Sequence, residues 1–102
     1  MIRVIIADDH PIVRAGMKQV LAESEDIIVT AEAGTGEDLL KGIQNNRFDV
    51  VLLDITMPGM GGLETLKRVK ALKKELPVLM LSIHAEEQFA LRTLRAGAAG
   101  YL

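Results

Sequence analysis

The sequence predicts an α/β fold built on a doubly wound parallel sheet, and three observations lead there. Aliphatic runs alternate with amphipathic segments along the whole chain, the pattern of repeated strand–crossover–strand units. The runs are continuously apolar, as strands covered on both faces are. The connections are short, and right-handed crossovers then leave few topologies. The order 2-1-3-4-5 is favoured among them, which sets the first and third strands side by side.

The first strand is Val4-Ile5-Ile6-Ala7, ending at Asp8. Pro11 suits the first turn of a helix, and Ile12, Val13, Gly16, Met17, Val20 and Leu21 recur at helical spacing behind it. Residues 27–31 form the second run. Thr35, with Asp38 three residues later, has the form of a capping box for a helix that turns Leu39, Leu40 and Ile43 inward. The third run, Phe48 to Leu53, stops at Asp54. A loop of three glycines and a proline over residues 57–62 then leads into a helix with Leu63, Leu66, Val69 and Leu72 on its apolar side. Residues 77–81 form the fourth run, ending at Ser82. A helix over about 86–96 follows, with Gly97 as its terminator, and residues 100–102 begin a fifth strand.

The chain of 102 residues is about one domain. Aromatic residues make up only 3%, so Val, Ile, Leu, Met and Ala must fill the core. A formal net charge of -2 offers no broad electrostatic footprint for nucleic acid. The absence of cysteine excludes disulfide and thiolate chemistry. The apolar start meets Asp8-Asp9 at once and lacks a signal peptide's form. No stretch approaches the roughly 20 apolar residues of a membrane span. A soluble, cytoplasmic protein is expected.

The chemistry is suggested by where the acids fall. Two aliphatic runs end in acid, the first at Asp8-Asp9 and the third at Asp54. Ligands of open parallel sheets bind outside the carboxyl ends of the strands, at the switch point. If those two strands are neighbours, three carboxylates converge on one crevice, where mutual repulsion calls for a cation. An all-oxygen cluster with water suits Mg²⁺. A carboxylate beside such an ion is a known type of phosphoryl nucleophile. Asp54 is the candidate nucleophile and Asp8 and Asp9 the candidate metal ligands, while the Ser82 hydroxyl could donate to a phosphoryl oxygen. One aspartate after a strand is usually only turn chemistry. Three acids and a hydroxyl, all at strand ends, are harder to dismiss.

Residues 5–11 (Ile-Ile-Ala-Asp-Asp-His-Pro), 51–59 (Val-Leu-Leu-Asp-Ile-Thr-Met-Pro-Gly), Leu81-Ser82 and 96–102 (Ala-Gly-Ala-Ala-Gly-Tyr-Leu) together resemble receiver domains of bacterial response regulators, in register over essentially the whole chain. The opening and closing motifs resemble the NarL/FixJ branch, in which a helix-turn-helix DNA-binding domain follows the receiver. The resemblance implies a flavodoxin-like fold and two-component signal transduction. It makes Asp54 the phosphoacceptor, supplied by a sensor histidine kinase. Asp8 and Asp9 would hold Mg²⁺, with Asp54 itself and the backbone carbonyl of Thr56. Ser82 would bind the phosphoryl group, and Tyr101 would be the aromatic switch that follows it. The added charge, about -1.5 to -2, would bias a bistable surface controlling dimerisation and transcription.

Two departures stand out. Gly61 replaces an acid common in this branch. The family's lysine beyond the fifth strand and its last helix do not occur before Leu102. The chain therefore reads as a receiver incomplete at its C-terminus, touching DNA only through an absent output domain. Metal binding is expected to survive while phosphorylation or its signal is impaired. An exposed sheet edge is expected to favour a homodimer, including by strand exchange. His10 and His84 read as cap or loop residues, since no second histidine lies at ligand spacing. Lys67 to Lys74 reads as the wet face of a helix. Gly34-Thr35-Gly36 only faintly echoes a dinucleotide loop and is rejected.

Two rival classes remain. A small-molecule phosphotransferase usually needs a second acid two residues after the nucleophile, and position 56 is threonine. A receiver-like interaction module that takes no phosphate in this shortened form is opposed by intact Asp8, Asp9, Asp54 and Ser82 and favoured by the absent lysine. Signalling, not turnover, is the expected task, so the domain is not read as an enzyme.

Overall fold

In the computed structural model, residues 1–54, 57, 60–81 and 95–101 are described. Strands β1 (Ile2–Ala7), β2 (Ile27–Ala33), β3 (Val50–Asp54), β4 (Val78–Leu81) and β5 (Gly100–Tyr101) form one sheet. All neighbours are parallel, in the order 2-1-3-4-5. The helices are α1 (Pro11–Leu21), α2 (Gly36–Asn45) and α3 (Gly62–Leu72). The expected fold class and strand order hold. The expected helix over about 86–96 lies outside the described residues except at its end, where Gly97 has a φ of 109°. Such a value suits a helix terminator without a Cβ.

Alternate strand residues feed two apolar layers, as the pleat requires. Ile5 and Ala7 of β1 and Val51 and Leu53 of β3 join Leu39, Ile43, Leu66 and Val69 from α2 and α3 in the larger core. Val4, Ile6 and Leu52 point the other way and meet Met17 and Leu21 of α1. The first layer is well covered. The second is thin: α1 contains no buried residue, Ile12 is 86% exposed and Val20 66%. The apolar stripe of α1 is thus only half used, because Met17 and Leu21 reach the sheet while Ile12 and Val20 face outward.

Polar contacts supplement the thin layer. Glu32 on β2 accepts from Lys18 Nζ at 2.9 Å and Arg14 Nε at 3.1 Å. The Lys18 hydrogen bond, assisted by Arg14, lowers the Glu32 pKa below the usual carboxylate value. At the starts of β1 and β3, Asp49 accepts from the Arg3 backbone N–H at 2.8 Å, while Asp49 N–H donates to the Arg3 carbonyl at 2.8 Å. This reciprocal pair fixes the register that sets Ala7 beside Leu53.

On the covered face, α2 and α3 approach closely. The Thr35 side chain accepts from Asp38 N–H at 3.1 Å, as the capping pattern predicts. A Cβ at Gly36 would lie 2.4 Å from Thr65 Oγ1. Thr65 is fully buried, and its hydroxyl donates to the Gly61 carbonyl at 2.6 Å, so it cannot swing aside cheaply. Gly36→Ala is expected to cost about 1–3 kcal/mol, as overpacking does. Urea denaturation checks this; a wild-type midpoint would show that the helices can separate freely.

Candidate metal and phosphoryl site

The register brings the acids together. Ala7 pairs with Leu53, so one step further along the two parallel strands Asp8 stands beside Asp54. Both are buried, at 3% and 5% exposure, at the carboxyl ends of the strands. Asp9 follows at the mouth of the crevice, with 27% of its side chain exposed. Donor atoms from Asp8, Asp9, His10 and Asp54 all lie within 4.8 Å of one another.

The loop after β1 is held by its own backbone. Asp8 N–H donates to the Ala33 carbonyl at 2.9 Å, prolonging the β1–β2 ladder. Asp8 Oδ1 accepts from His10 N–H at 2.8 Å, an Asx-type closure that turns the chain into α1. Arg14 Nη1 donates to the Asp8 carbonyl at 2.5 Å, so the side chain that pairs with Glu32 also steadies the acidic loop.

His10 takes the helix N-cap position but makes no side-chain cap. Its Nδ1 instead lies 3.0 Å from Asp8 Oδ1 and 2.9 Å from Asp9 Oδ1. The hydrogen bond to Asp8 and the charge of Asp9 raise its pKa above the ordinary imidazole value. His10 is an exposed residue at the N-cap, as expected, and its ring also lies against the acidic cluster. Searching for a second histidine could not find it. Three consecutive residues, Asp8-Asp9-His10, were the available signal. Arg14 was missed as well, because its partners are a backbone carbonyl and a residue of another strand.

A divalent cation fits these residues. Oxygen donors from three carboxylates suit a hard ion. Asp9 Oδ1 is shielded from water and accepts no hydrogen bond of good geometry among the described residues, despite the nearby His10 nitrogen. Asp54 has interactions of its own within the fold. Thr56 and Ser82, the other expected site residues, lie outside the described residues, as does His84. Tyr101 is placed in β5, beside Met80 of β4, but its side chain is outside the description.

A concavity of about 920 Å³ lies elsewhere, between Ile43–Asp49 and Lys73–Pro77 at the opposite ends of the strands. It is open, and its lining holds no comparable cluster of convergent ligands. The acidic crevice is the stronger candidate on chemistry. No helix among the described residues is long and apolar enough to cross a membrane.

Residues 4–102 match the response regulator receiver domain. The chain is 42% identical to the response regulator UvrY of Escherichia coli K12 over 102 residues, which is all of this chain and 47% of that protein. It thus spans about half the length of the curated relatives it matches. Among solved structures, it resembles the receiver domain of the response regulator NarL from Mycobacterium tuberculosis, with 38% identity and a TM-score of 0.92. That match covers 99% of this chain and 82% of that one. The CheX–CheY–BeF3–Mg²⁺ complex from Borrelia burgdorferi matches with 29% identity and a TM-score of 0.94, over 99% of this chain and 76% of that one. Together with the 2-1-3-4-5 sheet and the acids at its carboxyl edge, these likenesses are decisive: the chain belongs to the response regulator receiver domain family, close to the UvrY and GacA regulators of the NarL/FixJ type.

Proposed function

We propose that this receiver takes a phosphoryl group on Asp54 from the phosphohistidine of a sensor kinase, with Mg²⁺ held by Asp8, Asp9 and Asp54. The observation that carries the reading is the convergence of these three carboxylates at neighbouring strand ends. The solved complex containing CheY, BeF3 and Mg²⁺ supports it by likeness. When bound, Mg²⁺ supplies positive charge against the carboxylates and the incoming phosphoryl oxygens.

The chain's own residues do the rest. Asp54 sits at the end of a buried strand, which holds its carboxylate on a rigid base. One of its oxygens forms the new bond to phosphorus as the bond to the kinase histidine nitrogen breaks. That imidazole leaves with the electron pair. Asp8 and Asp9 orient toward the cation, with the Arg14 contact steadying their loop. Ser82 and the Thr56 carbonyl complete the site by family resemblance, and Tyr101 acts as the switch. Phosphorylation then biases the surface used for dimerisation and for control of a helix-turn-helix output domain. The task is signalling in the cytoplasm and not turnover of a substrate.

The test is labelling of the chain with acetyl phosphate. Incorporation of up to one phosphoryl group per chain is expected, dependent on Mg²⁺ and lost in Asp54→Asn. Undiminished labelling of that variant, or labelling in excess EDTA, would sink the proposal.

A further inference from the structure

We infer that His10 is a nitrogen ligand of the metal pocket, so that the site prefers nitrogen-seeking divalent ions such as Ni²⁺, Co²⁺ or Zn²⁺ over Mg²⁺. This deepens the proposed function and rests on it for the location of the ion.

The argument begins with distance. Two ligands at right angles around an ion, each about 2.1 Å from it, lie about 3.0 Å apart. His10 Nδ1 stands 3.0 Å from Asp8 Oδ1 and 2.9 Å from Asp9 Oδ1, a spacing that a hydrogen bond and two adjacent corners of one coordination shell share, so an ion could replace the proton between them with little movement. The Asp54 donor completes a group of four within 4.8 Å, and opposite corners of an octahedron of that size are about 4.2 Å apart. A contraction of a few tenths of an ångström brings all four onto one ion.

The local chain conformation favours this use of the ring. His10 is extended at the N-cap of α1 (φ -103°, ψ 107°), and its imidazole does not cap the helix. The His10 N–H instead fastens Asp8, which holds the ring's own backbone against the carboxylate it faces. Among the described residues, Asp9 Oδ1 has no well-formed hydrogen bond to lose when an ion arrives.

Ligand chemistry gives the selectivity. Carboxylates alone suit Mg²⁺, Ca²⁺ and Mn²⁺, whereas imidazole suits zinc, copper, iron and nickel. A nitrogen donor among three carboxylates therefore adds affinity for the second group and little for Mg²⁺.

The experiment is calorimetric titration of the tag-free domain at fixed pH with NiCl2 and with MgCl2. Wild type, His10→Gln and a His84→Gln control are compared. Wild type is expected to bind Ni²⁺ more tightly than Mg²⁺, and the ratio of the two affinities should fall at least tenfold in His10→Gln. His84→Gln should leave the ratio unchanged. The visible spectrum of the Co²⁺ complex is expected to shift in His10→Gln alone, which loss of fold would not imitate while Mg²⁺ still binds. A smaller fall in the ratio, or an unchanged Co²⁺ spectrum, overturns the assignment. Binding of Ni²⁺ with none of Mg²⁺ would uphold the His10 ligand and defeat the proposed function. Binding of neither ion defeats both.

Discussion

Asparagine in place of Asp9 is expected to stabilise the ion-free domain and to weaken its hold on Mg²⁺ at least tenfold. The opposite signs arise from one cause. Without an ion, Asp9 faces two buried carboxylates, Asp8 and Asp54, and one partly exposed imidazole. Two repulsions outweigh one attraction, and partial exposure reduces both. A gain of about 1 kcal/mol is the expected order once solvent screening is allowed for. With the ion present, the same carboxylate is a ligand. Mg²⁺ at a hundred times its dissociation constant stabilises the wild-type fold by about 2.7 kcal/mol. A tenfold weaker site at the same concentration gains only about 1.4 kcal/mol. Melting curves in EDTA and in Mg²⁺ should therefore cross in rank. A variant less stable than wild type in EDTA would show that Asp9 is not repelled there.

The second large effect is expected at Leu53→Ala, with a loss of about 2–5 kcal/mol from cavity formation in the core. Leu53 is fully buried on the central strand, with Ala7 and Met80 as its neighbours in register. Domains are typically stable by only about 5–15 kcal/mol, so the change removes a large share. The urea midpoint should fall with an unchanged slope. Because Leu53 precedes Asp54, Mg²⁺ affinity should weaken as well. A wild-type midpoint would mean that the larger apolar layer closes over the gap.

The sequence made the sheet legible because its strands are buried on both sides and read as unbroken aliphatic runs. The acids were legible for a related reason: a charge that ends such a run falls at the sheet's rim. Strand limits were less clear. β2 runs on to Ala33, past the expected end at residue 31, because an edge strand tolerates the charged Glu32 that broke the pattern. β1 starts at Ile2, earlier than expected, since the exchange with Asp26 and Asp49 pairs backbone that hydropathy does not mark. The cover of α1 was not legible, because helical spacing says which residues share a face but not how much of it is buried. The contact of His10 with the acids was not legible, since only the folded register brings the Asp54 carboxylate beside the turn of Asp8, Asp9 and His10.

The clasp of Arg14 and Lys18 on Glu32 has a consequence for the native ensemble. With no fully buried side chain, α1 owes much of its attachment to charge, which dissolved ions weaken. Among the described helices it is therefore the one expected to open most readily. Its opening releases the Asp8 carbonyl from Arg14. An ion that steadies the acidic loop is accordingly expected to draw this helix closed, and closure of the helix to favour the ion in return.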